Sequence, residues 1–178
     1  MKGIILSEFI EFLESSVGAE SAQLIIENSG IASDGAYCRV GHYDYQELIQ
    51  LLTQAVKETN RDTEDLLASF ADHLFGVFKR DYDVFFHGVS SAAEMLAQID
   101  NHIHVEVKKL YPDAELPKFE YVAEGQKITM NYKSPRPLAA VADALLNACI
   151  KHFGGGETVV HGEISDDQRE AKFIIQLS

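Results

Sequence analysis

Apolar residues recur at three- and four-residue intervals through the first part of the chain and then switch to strand-like alternation. Residues 4–13 place Ile5, Phe9 and Phe12 beside Leu6, Ile10 and Leu13, apolar around more than half the circumference, which predicts a mostly buried helix. A second helix is expected over 20–28, stopping near Asn28-Ser29-Gly30, and the glycine-bearing stretch 29–41 reads as loop. Helices follow at 44–58 and 63–79. Asp62 and Thr63 offer N-caps to the latter, and Phe70, Leu74, Val77 and Phe78 mark its apolar stripe. After a break containing Asp81 and Asp83, Ser90 or Ser91 caps a long helix to about Lys109, ended by Tyr111-Pro112.

Beyond that proline the period changes. Residues 119–122 and 127–132 predict a hairpin around Glu124-Gly125-Gln126. Pro137 suits the first turn of a helix running to about Phe153 and stopped by Gly154-Gly155-Gly156. Residues 158–164 and 172–177 predict two further strands, joined by the polar loop 165–170. Helices first, then hairpin, helix and hairpin, predict an α+β fold with an antiparallel sheet of about four strands. The chain reads as one domain over 1–178, with a helical subdomain over 1–60 and an α+β subdomain over 61–178.

Composition narrows the partners. A net charge of −13 makes nucleic acid and anionic membrane poor candidates. Cys38 and Cys149 are too few for a disulfide framework and lack CxxC spacing. No run approaches membrane-spanning length and the N-terminus does not resemble a signal peptide, so a cytoplasmic protein is expected.

The candidate chemistry lies between His104 and Arg136. Tyr132, Ser134 and Arg136 alternate along an extended segment and so project from one side, offering two hydroxyls and a guanidinium fork suited to a carboxylate. Pro135 and Pro137 bracket Arg136 and stiffen its backbone. Upstream, His102 and His104 are two apart on one helix and cannot chelate together. They flank a core stripe of Leu96, Ile99, Ile103, Val107 and Leu110, with Ala93 and Ala97 leaving room on the His104 side. A histidine facing a carboxylate clamp meets the two demands of haem, an iron ligand and partners for its propionates. The plainer alternatives are a surface histidine and a solvated strand end.

With these residues the chain resembles the haem-nitric oxide/oxygen-binding (H-NOX) family, bacterial relatives of the sensor domain of soluble guanylate cyclase. The family's Tyr-x-Ser-x-Arg propionate clamp corresponds to Tyr132, Ser134 and Arg136. Its proximal histidine, followed by an aliphatic residue and Tyr-Pro, corresponds to His104, with Leu110, Tyr111 and Pro112 after it. Its haem-distorting proline, thirteen positions beyond the ligand, corresponds to Pro117; counting from His102 would give Glu115. The resemblance implies a haem b-bearing subdomain over 61–178, enclosing iron protoporphyrin IX with His104 as metal ligand. Family members that hold O₂ carry a distal tyrosine where this chain has Val141. A pocket of Ile5, Phe9, Val141 and Leu145 would lack a donor, which implies selectivity for NO, with CO as a second ligand, over O₂. Tyr82 or another tyrosine could reach the pocket from elsewhere and supply such a donor. The resemblance further implies weakening or rupture of the His104–iron bond by NO, a subdomain shift, and control of a separate histidine kinase or cyclic-di-GMP enzyme.

Competing readings are a thiol- or zinc-linked redox regulator, an O₂-binding haem protein and a carboxylate- or fatty-acid-binding module anchored on Arg136. Cys149, His152 and His161 form at best a partial zinc set, and Cys149 is expected in the core, Cys38 in a loop. His73 and His87 are expected at the surface. No nucleophile–base pair stands out, so no catalytic residue is assigned and no enzyme is expected.

Overall fold

The computed structural model of the chain describes residues 1–154, 156 and 158–177, without the side chains of Val160 and His161. The chain divides into two compact units, Met1–Leu74 and Phe75–Ser178. The division falls inside a helix, at 74/75, and not at the expected 60/61.

The first unit holds α1 (Gly3–Val17), α2 (Ala19–Ser29), α3 (Gln46–Thr59) and the start of α4 (Thr63–Asp81). One residue, Gly18 at φ 84°, separates α1 from α2, a left-handed backbone that favours glycine. Leu6, Phe9, Phe12 and Leu13 of α1 are buried with Ile25, Leu51, Leu66 and Phe70. Phe9 and Phe70 meet edge to face, centroids 4.8 Å apart and planes at 86°, the arrangement that aromatic quadrupoles favour. The helical face is not wholly apolar. Glu8 is 0% exposed, its carboxylate paired with Arg39 and, at 3.0 Å, with Nε2 of His73. His73, expected at the surface, is therefore half-buried on this carboxylate; His87 is exposed as expected.

The second unit runs from the end of α4 through a 3₁₀ turn (Asp83–Phe86) into α5 (Ala92–Gln98), a π-turn (Ile99–Ile103) and α6 (His104–Leu110). Ser91 caps α5 by accepting the amide N–H of Glu94, while the Glu94 carboxylate takes the Ser90 N–H and hydroxyl. The long helix expected over this span exists, with a change of phase at the π-turn. That change explains why the expected apolar stripe fails at its end: Leu96 is buried, Ile99, Ile103 and Val107 are half-buried, and Leu110 is 63% exposed.

The strands β1 (Lys118–Glu124), β2 (Lys127–Lys133), β3 (Thr158–Ile164) and β4 (Glu170–Gln176) form one antiparallel sheet in the order β1-β2-β4-β3. The fold is α+β with four strands, as the pattern predicts. Alternation along β2 and β4 buries Ile128, Met130, Tyr132, Ala171, Phe173 and Ile175 on one face. Against them pack Leu146, Cys149 and Ile150 of α7 (Ala139–Phe153) and Met95 and Leu96 of α5. Cys149 is thus a core residue and Cys38 is exposed. Pro137 lies ahead of α7 rather than in its first turn, because Leu138 is the N-cap. Gly154 ends α7 in the left-handed region at φ 62°; Gly155 of the expected glycine stop lies outside the described residues. Among the described residues no helix is long and apolar enough to cross a membrane.

Candidate functional site

His104 sits where the widened turn hands over to α6. Its backbone N–H bonds to the carbonyl of Ile99, one residue further back than an α-helix would use. The side chain is 18% exposed, and Nδ1 lies 3.1 Å from Oδ1 of Asp100. A carboxylate can only accept from a neutral imidazole, so the proton belongs on Nδ1 and the lone pair on Nε2. Burial pushes the His104 pKa below its ordinary value, which the Asp100 hydrogen bond and charge only partly oppose. The result is a neutral imidazole with one nitrogen engaged and the other able to bind a metal. His102 is different in kind: it is exposed, and its ring meets Phe85 edge-on at 5.8 Å.

Tyr132, Ser134 and Arg136 come together at the end of β2, as alternation predicts. Tyr132 and Ser134 are buried. The Tyr132 hydroxyl is hydrogen-bonded with Ser134, and burial raises its pKa despite that contact and the Arg136 charge. Ser134 extends the pairing beyond the strand, its N–H reaching the Arg169 carbonyl at 2.9 Å. Its Oγ accepts the Arg136 N–H at 3.1 Å. The hydroxyl therefore fixes the backbone from which the guanidinium departs. Gln168, at φ 58°, supports the next turn, its carbonyl accepting the Ala139 N–H at 3.0 Å and its side chain the Ala140 N–H at 3.1 Å.

Arg136 is 12% exposed, and its guanidinium already grips a carboxylate: Nη2 meets Oε2 of Glu115 at 2.5 Å, and Nη1 the Glu115 carbonyl at 3.1 Å. Rings link this clamp to the histidine. Phe119 lies 6.0 Å from the His104 ring and 5.3 Å from that of Tyr132. Pro117, half-buried, immediately precedes β1 and stands two residues before Phe119.

Val141 and Leu145 are half-buried four residues apart on α7, hence on one face. Ile5, half-buried, and Phe9, buried, belong to the first unit. Tyr82 lies with Phe78 and Phe85, at ring distances of 6.3 and 6.4 Å. His152 packs against Phe75 and Phe153, and the His161 side chain of the partial zinc set lies outside the described residues.

Three contributors escaped the sequence reading. Asp100 was detectable as a carboxylate one helical turn before His104. Glu115 and Gln168 reach their partners only through the fold and carry no local signal.

The residues fit haem on this structure's own terms. A neutral, oriented imidazole is the form that ligates iron, and Arg136 demonstrates carboxylate binding on a side chain of its own chain. A family model described as haem-NO-binding matches residues 2–161. The chain is also similar to solved structures. The unliganded Fe(II) H-NOX protein of K. algicida is 38% identical, with a TM-score of 0.90 over 100% of this chain and 97% of that one. The Fe(II)CO H-NOX of Shewanella woodyi, bound to IWP-051, is 31% identical, with a TM-score of 0.83 over 100% and 95%. The Fe(II)NO H-NOX of S. oneidensis shares the fold at 23% identity, with a TM-score of 0.88 over 100% and 99%. No curated protein matches the chain. With the family model spanning most of its length, the chain belongs to the haem-NO-binding, or H-NOX, family.

Proposed function

We propose that this protein is a haem-based gas sensor, selective for NO over O₂, that controls a separate signalling enzyme in the cytoplasm. The bound haem, taken as haem b, supplies ferrous iron able to take a diatomic gas. His104 would be its protein ligand, with Nε2 free to bind; Tyr132, Ser134 and Arg136 would hold its propionates, and Pro117 would pack beside it.

The observation that carries the reading is the state of His104: half-buried, neutral and tied through Nδ1 to a carboxylate. Such an imidazole is oriented for metal ligation, and a surface histidine would have no need of it. Selectivity rests on Val141. Dioxygen on ferrous iron draws negative charge outward and gains most from a hydrogen-bond donor, and an aliphatic side chain has none to give. NO and CO depend on such a donor less. Release of His104, when NO weakens its hold on the iron, would be the signal. The ligand helix then relaxes, and a shift between the subdomains passes the change to a histidine kinase or a cyclic-di-GMP enzyme. A sensor of this kind needs no catalytic residue.

The test is the absorption spectrum of the reduced, haem-loaded protein under argon, air, CO and NO, with His104→Gly alongside. The expected protein changes with NO and CO and not with air, and His104→Gly loses haem unless imidazole is added. A stable change in air would end the claim of selectivity. Failure to take up haem after reconstitution would end the sensor reading.

A further inference from the structure

We infer that Asp100 is the positioning residue for His104, fixing its tautomer and setting how firmly it holds iron; this rests on the haem reading above. Two bonds converge on one oxygen. Oδ1 of Asp100 takes the His104 Nδ1–H at 3.1 Å and the backbone N–H of Phe119 at 3.4 Å. The first comes from the ligand helix and the second from the start of β1, two residues after Pro117.

The π-turn makes this meeting possible. Asp100 lies within it and His104 is the residue that follows, so the carboxylate and imidazole share one face across a turn widened by one residue. The His104 and Phe119 rings, 6.0 Å apart, complete the contact. Helix and strand are thereby joined through the same side chain that orients the ligand.

The electronic consequence follows from the anion. A carboxylate accepting the Nδ1 proton draws it away from the ring and makes Nε2 a stronger donor. The iron bond is stiffer than it would be with a neutral acceptor, and more NO is needed to release it. Asp100 therefore sets the threshold of the sensor while touching neither iron nor gas. Its attachment to β1 gives any movement of His104 a direct route into the sheet.

Asp100→Asn separates charge from scaffold, because the amide oxygen still accepts both N–H groups. Asp100→Ala removes both. In the haem-loaded ferrous protein, the iron–histidine stretching frequency measured by resonance Raman is expected to fall in Asp100→Asn and to fall and broaden in Asp100→Ala. The NO concentration that releases His104 is expected to fall by roughly tenfold, the scale of outer-shell substitutions at metal sites. In the haem-free protein, ¹⁵N chemical shifts of the His104 ring should report a proton on Nδ1 in the parent and in Asp100→Asn, and a mixture of tautomers in Asp100→Ala. An unchanged frequency and NO threshold in both variants would overturn the inference. So would an unchanged tautomer in Asp100→Ala. The ring measurement needs no haem, so it tests Asp100's hold on His104 even if the chain takes up no cofactor, the result that would fell the haem reading instead.

Discussion

Arg136 and Glu115 form a closed pair in which one residue offers the guanidinium both acceptors, a carboxylate oxygen at 2.5 Å and its own carbonyl at 3.1 Å. The partners differ in commitment: the Arg136 side chain is 12% exposed and that of Glu115 63%. An exposed carboxylate adds only about 0.5 kcal/mol in such a pair, so a propionate would displace it at little cost. Glu115→Gln is expected to raise haem affinity by about a factor of two. Arg136→Ala should lower it roughly tenfold or more, the scale of a lost charge-assisted hydrogen bond. Titrating haem into the haem-free variants checks both, and unchanged affinity in Arg136→Ala would remove that residue from the site.

Val141 is the position at which a single change should reverse selectivity. Val141→Tyr places a phenol on the same α7 face as Leu145. The reduced, haem-loaded variant should then change its spectrum stably when air is admitted, as the parent does not. A variant still indifferent to air would show that polarity at this position does not govern O₂ binding.

Glu8 makes a test of stability independent of haem. Its carboxylate is fully buried, while Arg39 and His73 retain partial contact with solvent. Arg39→Met strands a buried carboxylate with one weak partner and should cost about 3 kcal/mol. Glu8→Met removes the buried charge itself, and should cost under about 1 kcal/mol because Arg39 and His73 can rehydrate. Urea unfolding of the three proteins decides it; equal losses would show that the pair acts by packing rather than by charge.

Alkaline pH should weaken the first unit through Tyr37. Burial, followed by its hydrogen bond to Glu47, raises the Tyr37 pKa well above the usual range. The hydroxyl donates to Oε2 of Glu47 at 2.6 Å, where Ser33 also donates at 2.5 Å. A folded-state pKa above the unfolded one means that the unfolded chain loses its proton first. The stabilisation is whole below about pH 10 and is lost progressively above it. Tyr37→Phe should be less stable by about 2 kcal/mol at neutral pH and show a shallower alkaline decline. Melting temperatures of both proteins between neutral and strongly alkaline pH check this; parallel curves would contradict it.

The elements were largely legible because each is announced locally. Alternation marks β2 and β4, and Gly154 stops α7 where the apolar period ends. The same alternation brought Tyr132, Ser134 and Arg136 to one place. What stayed hidden depends on contacts distant in sequence. Glu8 carries no local sign that Arg39 and His73 will be brought to it. The π-turn has no residue signature, and it moved Leu110 out of the expected stripe. His104 could be chosen over His102 in the sequence only by family spacing; in the folded chain burial and Asp100 distinguish them.

The widened turn at 99–103 also limits which changes of length the chain tolerates. Removing one residue there would restore the ordinary helical ladder and swing everything after it by about 100° around the axis. The imidazole would leave Phe119, and every residue of α6 would turn a different side to β1. Between α5 and His104, the number of residues is as much a part of the structure as their identity.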